Sequence, residues 1–175
     1  MDTLIKTDFV ADEFPKTING IPTEKNATEQ RREIVKNTYF ELLERLQRTK
    51  GKKTVYNDFL GVNVYILMRE SGKKASNSST KNWQSTYAVK NLEKIIKNAK
   101  PLPNIPIYKT PKNTGKQKEF NYVNLATLFY EFKCEKLDYM NFTVKLTLGI
   151  KNDGRHIQYS ISKIEVQFLE KKNTL

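Results

Sequence analysis

The sequence predicts an α+β fold: two N-terminal helices packed on a mostly antiparallel sheet that ends in a C-terminal strand meander. Apolar residues recur at helical spacing in two segments, over 26–50 and 80–99. In the last third they alternate along the chain, and Asn152-Asp153-Gly154 there is typical of a hairpin turn. Because the helices precede most of the strands instead of alternating with them, we expect an α+β fold and not an α/β one.

The N-terminal part of the chain changes character near Asn26. Residues 1–25 show no periodicity and are predicted to form an extended arm, ahead of a single α+β domain over 26–175. The spacing of Asn26 and Glu29 is that of a capping box, so the first helix is expected to begin there and to end before Gly51. Its apolar stripe comprises Ile34, Val35, Tyr39, Leu42, Leu43 and Leu46.

The middle of the chain is predicted to contain one strand and the second helix. Gly61–Arg69 is typical of a strand: Val62, Val64, Ile66 and Met68 share one parity, and Tyr65 and Leu67 make the other face partly apolar. The second helix is expected over 80–99, with Trp83 on its buried face and Pro101 preventing its continuation. A polar loop over 109–118 follows.

Three strands are predicted in the last third. Residues 121–133 are apolar on both parities, which indicates a strand covered on both faces, and 139–150 alternate strictly. Residues 155–169 pair back, but their apolar parity changes, so we expect a β-bulge near Ser162-Lys163. The simplest packing places one face of the sheet on the helices and leaves the other open to solvent.

Charge is distributed unevenly along the 175 residues. The chain has 31 basic and 19 acidic residues, for a net charge of +12. From Arg45 to Lys118 there are 17 basic residues and three acidic ones. This asymmetry predicts a positive patch that attracts phosphates or an acidic protein surface.

Several classes of protein are disfavoured by what the chain contains. One cysteine (Cys134) and one histidine cannot build an internal disulfide or a four-ligand zinc site of Cys and His, and no nucleotide-binding or metalloprotease motif is present. We therefore expect no cofactor and no metal. The N-terminus lacks the apolar region of a signal peptide, so the expected location is the cytoplasm, with no membrane partner.

A series of short motifs runs in a characteristic order over about residues 51–166. The motifs are Asn57-Asp58 ahead of Gly61-Val62-Asn63-Val64, the loop Gly72-Lys73-Lys74, the helical Ala88–Leu92 and Ile95–Ala99, Phe129–Phe132, and the hairpin from Val144–Thr147 to Gly154–Tyr159. This order resembles a domain family of large polyvalent proteins of phages and mobile elements. The resemblance implies the α+β nuclease fold of barnase, EndoU, the colicin nucleases and RelE-type toxins, RNA cleavage, and action in a host cytoplasm.

Four residues are candidate catalytic groups. Metal-free RNA cleavage needs a base, an acid and cations around one phosphate. His156 and Arg155 lie at the mouth of the last hairpin, and strand parity predicts a polar row of His156, Gln158, Ser160 and Ser162 facing away from the core. Lys73 and Lys74 precede a helix N-terminus, where anions are favoured. The competing interpretation is a solvated strand face and a solvated loop.

Five lysines and two aromatic residues are candidate nucleic-acid contacts. Lys109, Lys112, Lys116 and Lys118 belong to a loop without acidic residues that fits a nucleic-acid backbone, and Lys81 adds charge at the second helix. Tyr108 and Phe120 flank that loop and are suited to stacking on unpaired bases.

The leading hypothesis is an RNase-fold domain of phage or mobile-element origin that binds RNA, rather than DNA, through its basic face. Whether it also acts as a metal-independent endoribonuclease is left open by the sequence. Two alternatives remain: a catalytically inert nucleic-acid-binding module, and a phage-encoded inhibitor or toxin-like domain that binds an acidic host or immunity protein.

Overall fold

The computed structural model describes residues 14–72, 78–133 and 141–164. Its strands are β1 (Thr17–Ile18), β2 (Ile21–Pro22), β3 (Thr54–Asn57), β4 (Val62–Tyr65), β5 (Tyr108–Lys109), β6 (Asn124–Phe132), β7 (Phe142–Ile150) and β8 (His156–Ile164). Its helices are α1 (Thr28–Lys50), α2 (Trp83–Lys90), α3 (Leu92–Asn98) and α4 (Gly115–Glu119), with a π-helical turn at Met68–Gly72. No helix in these ranges is long and apolar enough to cross a membrane.

The main sheet has six strands in the order β3-β4-β8-β7-β6-β5. All neighbours are antiparallel except β4 and β8, which run parallel. Strands β1 and β2 form a separate small hairpin. The α+β class and the C-terminal meander of β6, β7 and β8 confirm the sequence prediction.

Helix α1 ends at the cap residue Gly51, which adopts a left-handed conformation. Gly51 has φ 67°, and its N–H donates to the carbonyl of Gln47, which closes the last turn. At the other end the cap residue is Ala27, with no side-chain capping bond, so the predicted cap at Asn26 is wrong. The apolar stripe packs as expected, with Tyr39 and Leu46 fully buried.

The predicted second helix is split in two at Asn91. The Nδ2 of Asn91 donates to the carbonyl of Tyr87 at 2.9 Å, and Asn91 itself is not helical, with φ −112° and ψ 25°. Asparagine side chains compete in this way with the backbone hydrogen bonds of a helix. The predicted helix over 80–99 covers nearly the same residues as α2 and α3 together. The prediction that these residues form one continuous helix is wrong.

The hairpin of β3 and β4 replaces the single predicted strand of the middle segment. Only Val62–Tyr65 of that stretch is strand, and β3 was not predicted. Asn57 ties the hairpin to the end of α3. Its Nδ2 donates to the carbonyls of Ile96 at 2.7 Å and Ala99 at 3.0 Å, and its Oδ1 accepts from the N–H of Leu60. Strand β3 comes first in the strand order, so the hairpin forms one edge of the sheet.

The main core lies between the helices and one face of the sheet. Apolar side chains of β6 and β7 at alternate positions, such as Leu128 and Leu146, pack against α1, α2 and α3. Trp83 of α2 is buried, as predicted, and meets Phe142 edge-to-face at 5.7 Å between ring centroids. We call the opposite side of the sheet the outer face.

A β-bulge at Tyr159 changes which residues of β8 face the helices. Thr147 pairs with Ser160 and Leu148 with Gln158, so Tyr159 is the extra residue. Gln158 consequently faces the main core, where its Oε1 accepts from the hydroxyl of Tyr39 at 2.8 Å. The bulge expected at Ser162-Lys163 is thus misplaced by three to four residues.

The outer face carries a second apolar cluster and is not open to solvent as predicted. The cluster, called here the outer cluster, consists of Phe120, Tyr122, Leu125, Ile157 and Tyr159. Tyr159 shares the outer face with Ile157, and the bulge after it lets Ile161 return to the main core. Phe129, elsewhere on this face, is also buried.

Serine hydroxyls cover the part of β8 that β4 does not reach. Strand β4 pairs only with His156 and Ile157. Beyond them, the hydroxyls of Ser71 and Ser79 donate to the carbonyls of Gln158 and Ile161. Further along, the hydroxyl of Ser85 accepts from the N–H of Lys163 at 3.1 Å. The chain after β4 therefore satisfies the free edge of β8 without adding a strand.

Arg31 fastens three segments together from inside the protein. It is fully buried, and its guanidinium donates to the carbonyl of Thr80 at 2.8 Å, of Pro22 at 3.1 Å and of Lys25 at 3.3 Å, and to that of Glu24. Burial lowers the pKa of its guanidinium. These bonds hold the β1–β2 hairpin, α1 and the segment before α2 in one arrangement.

We expect Arg31→Met to reduce the free energy of unfolding by ~2–4 kcal/mol, because it leaves buried carbonyls without donors. Urea unfolding measures the change. Arg32→Met is the matched control, since Arg32 is exposed and pairs with Glu29 on the surface, which predicts a loss below ~1 kcal/mol. Equal losses in the two variants would contradict this role for Arg31.

Candidate nucleic-acid interface

The outer cluster fixes the segment after α4 to the sheet. The ring of Tyr122 lies directly on Gly149: a Cβ placed on Gly149 would be 2.3 Å from its ring atoms. Tyr122 also packs edge-to-face on Tyr159, with 5.4 Å between ring centroids, and Phe120 does so at 6.3 Å. The loop that precedes Phe120 is therefore anchored by buried aromatic rings.

A groove of about 480 Å³ opens beside Tyr122, and we call it the lysine groove. Lys112 and Lys118 supply its charges, and Asn113 and Asn121 supply amide groups. The N–H of Lys112 donates to the Oε1 of Gln117 at 2.7 Å, which closes the loop onto α4. Asn121 adopts a left-handed conformation with φ 59°, which turns the chain from α4 onto the sheet.

Two further lysines lie on the outer face. Lys109 of the edge strand β5 pairs with Leu125, and Lys145 of the interior strand β7 pairs with Phe129 further along β6, so both side chains share this face. Partial burial lowers the pKa of the Lys145 ammonium, and the positive charge of Lys109 lowers it further. Positive charges that share one face in this way favour an anion above it.

These four lysines are not neutralised by neighbouring acids. Within the described ranges, no carboxylate lies within 4 Å of the ammonium groups of Lys109, Lys112, Lys118 or Lys145. Lys116, by contrast, pairs with Glu119 at 2.9 Å and sits 5.9 Å from the ring centroid of Phe120. The charge of Lys116 is therefore compensated by a carboxylate within α4.

A buried ion pair supports the floor of the groove. Lys151 lies 2.8 Å from the carboxylate of Glu70 and 5.1 Å from the ring centroid of Tyr122, and it donates to the carbonyl of Phe120. The pKa of the Tyr122 hydroxyl is raised, first by burial and then by the negative charge of Glu70. Lys151 thus stabilises the outer cluster and adds no free charge to the groove.

The basic residues of the middle segment do not all gather on one side, contrary to the simplest form of the predicted patch. Lys90 and Lys94 line a groove of about 550 Å³ on the helix side, between α1 and the α2–α3 pair. That groove also contains three glutamates, and Arg45 pairs there with Glu93 at 2.9 Å. The outer face therefore carries less positive charge than the 17 basic residues between Arg45 and Lys118 suggest.

The candidate catalytic residues Arg155 and His156 point to opposite sides of the sheet. His156 pairs with Val64, whose side chain is in the main core, so His156 lies on the helix side. Arg155 lies on the outer face, with its Cζ 5.9 Å from the ring centroid of Tyr65, and its Nε donates to Asp153 at 2.8 Å. The structure does not bring the two together, and Lys73 and Lys74 lie outside the described residues.

The predicted polar row on β8 is wrong because of the bulge at Tyr159. Gln158 is fully buried on the helix side, whereas Ser160 and Ser162 pair with Thr147 and Lys145 on the outer face. Ser79, just before the predicted second helix, is fully buried, and its hydroxyl donates to β8. The row therefore cannot line one phosphate site.

The candidate nucleic-acid contacts divide in the same way. Lys112 and Lys118 line the lysine groove, and Lys109 lies on the same face. Lys81 follows Thr80, which Arg31 holds on the helix side, so it is not part of this site. Tyr108 pairs with Ala126 of the main core and so lies on the other face from Lys109.

Two residues of this surface, Phe120 and Lys145, were not predicted correctly from the sequence. Phe120 is buried, so the predicted stacking of its ring on bases is wrong. Lys145 was missed because it is a single lysine in an alternating strand, and Lys109 is 36 positions away in the sequence. Only strand pairing places both lysines on the outer face.

No protein-family model, curated protein or solved structure matches this chain. The resemblance to the phage domain family therefore stays a prediction, and function has to be argued from the site itself.

We expect Gly149→Ala to reduce the free energy of unfolding by ~1–3 kcal/mol, because its new methyl group overlaps the ring of Tyr122. In a Tyr122→Ala background the same substitution meets no ring and is expected to cost less than ~0.5 kcal/mol. Urea unfolding of the four proteins gives both values. If Gly149→Ala costs the same in both backgrounds, Tyr122 does not pack on Gly149 as described.

Proposed function

We propose that this protein binds nucleic acid through the lysine groove together with Lys109 and Lys145. The single observation that carries the proposal is the set of four lysines on one face without carboxylate partners among the described residues. The preference for RNA over DNA rests on the family resemblance alone, as does an origin in a phage or mobile element acting in a host cytoplasm.

The arrangement of these groups favours a polyanion of the phosphodiester type. Lys109 ends β5, Lys112 lies in the segment that follows, and Lys118 belongs to α4, so three cations come from one short stretch of the chain. A phosphodiester backbone carries a series of charges that several cations can contact together. The amides of Asn113 and Asn121 stand beside the ammonium groups and offer both donors and acceptors for phosphate or sugar. Such contacts position a nucleic-acid backbone without reading its sequence.

The described geometry supports binding more strongly than cleavage. Cleavage needs an acid, a base and a cation within hydrogen-bond reach of one phosphate. Arg155 and His156 lie on opposite faces, and each makes a contact to the hairpin turn that precedes it, Arg155 to Asp153 and His156 through Nδ1 to the carbonyl of Gly154. We therefore favour a nucleic-acid-binding module over a ribonuclease.

The salt dependence of binding tests the groove. We expect Lys112→Ala/Lys118→Ala to weaken binding to a single-stranded RNA and to reduce the slope of log K against log salt by ~1.4, since each phosphate contact contributes ~0.7. Fluorescence anisotropy over a series of salt concentrations gives the slope.

Lys90→Ala/Lys94→Ala is the matched control, because it removes the same charge from the helix side. We expect its slope to equal that of the unmodified protein. Equal reductions in both double variants would mean that the protein attracts RNA by net charge and that the groove is not the site.

A cleavage assay separates binding from catalysis. We expect labelled RNA to remain intact after incubation with the protein in EDTA, because the described residues assemble no acid–base pair at one phosphate. Gel electrophoresis detects the products. Cleavage that disappears in His156→Ala would instead establish the ribonuclease and reject the purely binding function.

A further inference from the structure

The β3–β4 hairpin displays aromatic side chains that the main core does not use. Tyr56 is 50% exposed, whereas its neighbours Val55 and Asn57 are buried, so its ring lies on the outer face. Tyr56 pairs with Asn63, and Tyr65 pairs with Thr54. Tyr56 and Tyr65 are thus diagonal neighbours on one face, about 7–8 Å apart.

Arg155 lies beside Tyr65. The Cζ of Arg155 is 5.9 Å from the ring centroid of Tyr65, and its Nε donates to Asp153 at 2.8 Å. The Arg155 side chain remains 44% exposed. Because a guanidinium is flat and stacks on aromatic rings, this exposed part is suited to an aromatic base.

The hydroxyl end of Tyr56 lies close to Gly61 at the turn of the hairpin. Its oxygen is 3.5 Å from the position that a Cβ on Gly61 would take, which is an ordinary van der Waals distance. The Tyr56 side chain is half exposed, so its ring is accessible to a base that stacks on it.

The aromatic pair is continuous with the charged surface. Lys109, Leu125, Gly149, Ile157 and Tyr65 form one cross-strand row on the outer face. With neighbouring strands about 4.8 Å apart, Lys109 and Tyr65 are about 19 Å apart. Tyr122, which lines the lysine groove, lies on Gly149 in the middle of this row. Tyr122 thus lies between Lys109 and Tyr65 on the outer face.

We propose that Tyr56, Tyr65 and Arg155 form a stacking site for unpaired bases, so that the polymer held by the lysine groove is single-stranded. The inference rests on the proposed function and deepens it by naming the substrate class. Aromatic rings stack on every base, so the site selects unpaired bases without selecting a sequence. In a duplex the base faces are already stacked and cannot reach it.

The decisive comparison uses two polymers with the same phosphates. One is an oligouridylate of about 12 nucleotides, and the other is an abasic phosphodiester of the same length. We expect the protein to bind the oligouridylate ~5–100-fold more tightly, because stacking of even one base contributes that factor. Tyr56→Leu is expected to remove most of this preference while leaving the affinity for the abasic polymer unchanged.

Phe40→Leu is the matched control, since Phe40 is a 66% exposed aromatic residue on α1. It should alter neither affinity. Arg155→Lys keeps the charge but loses the flat guanidinium, so it is expected to reduce the preference without changing the salt slope.

The outcomes separate the two proposals. Equal binding of both polymers by the unmodified protein, with a steep salt dependence, overturns the stacking site and leaves the proposed function standing. Absence of binding to either polymer overturns both. A Tyr56→Leu variant that loses the same factor for both polymers also overturns the stacking site.

Discussion

The outer surface depends on one extra residue in β8. Side chains alternate along a strand, so a single inserted residue exchanges the two faces for everything that follows it. The bulge at Tyr159 lets Ile161 enter the main core while Ile157 and Tyr159 turn outward. Tyr122 then has a ring to pack on, and the loop with Lys112 and Lys118 acquires a fixed base. Without the bulge, the outer cluster would lose its centre.

Buried and exposed cations have different partners in this protein. Arg31 satisfies its guanidinium with backbone carbonyls, and Lys151 pairs with Glu70 beneath Tyr122. Both cations serve the fold, because burying an unpaired charge is costly. The lysines of the groove have no such internal partner in the described part of the chain. Net charge alone would not distinguish these two roles, which only the contacts reveal.

Local periodicity was sufficient to predict most of the fold. The stripe of α1, the alternation of β7 and the turn before β8 are repeating patterns that depend on residues close in sequence. The bulge position depends on a contact between Tyr39 and Gln158, 119 positions apart, which no local pattern contains. Strand β3 was missed for a related reason, since its four residues are too few to show alternation. At the site, loop composition identified Lys112 and Lys118, but the separation of Arg155 from His156 follows from a register that only strand pairing sets.

The hydroxyls along β8 have a consequence for how the protein meets other chains. An exposed strand edge recruits further strands and is the usual route to sheet-mediated aggregation or peptide capture. Here Ser71, Ser79 and Ser85 hydrogen-bond three backbone groups of β8 beyond Ile157, and the sheet terminates in strands of four and two residues, the latter between Pro106 and Pro111. Within the described ranges, the sheet thus offers little backbone for growth by strand addition. Other chains are therefore expected to meet this sheet through the side chains on its faces.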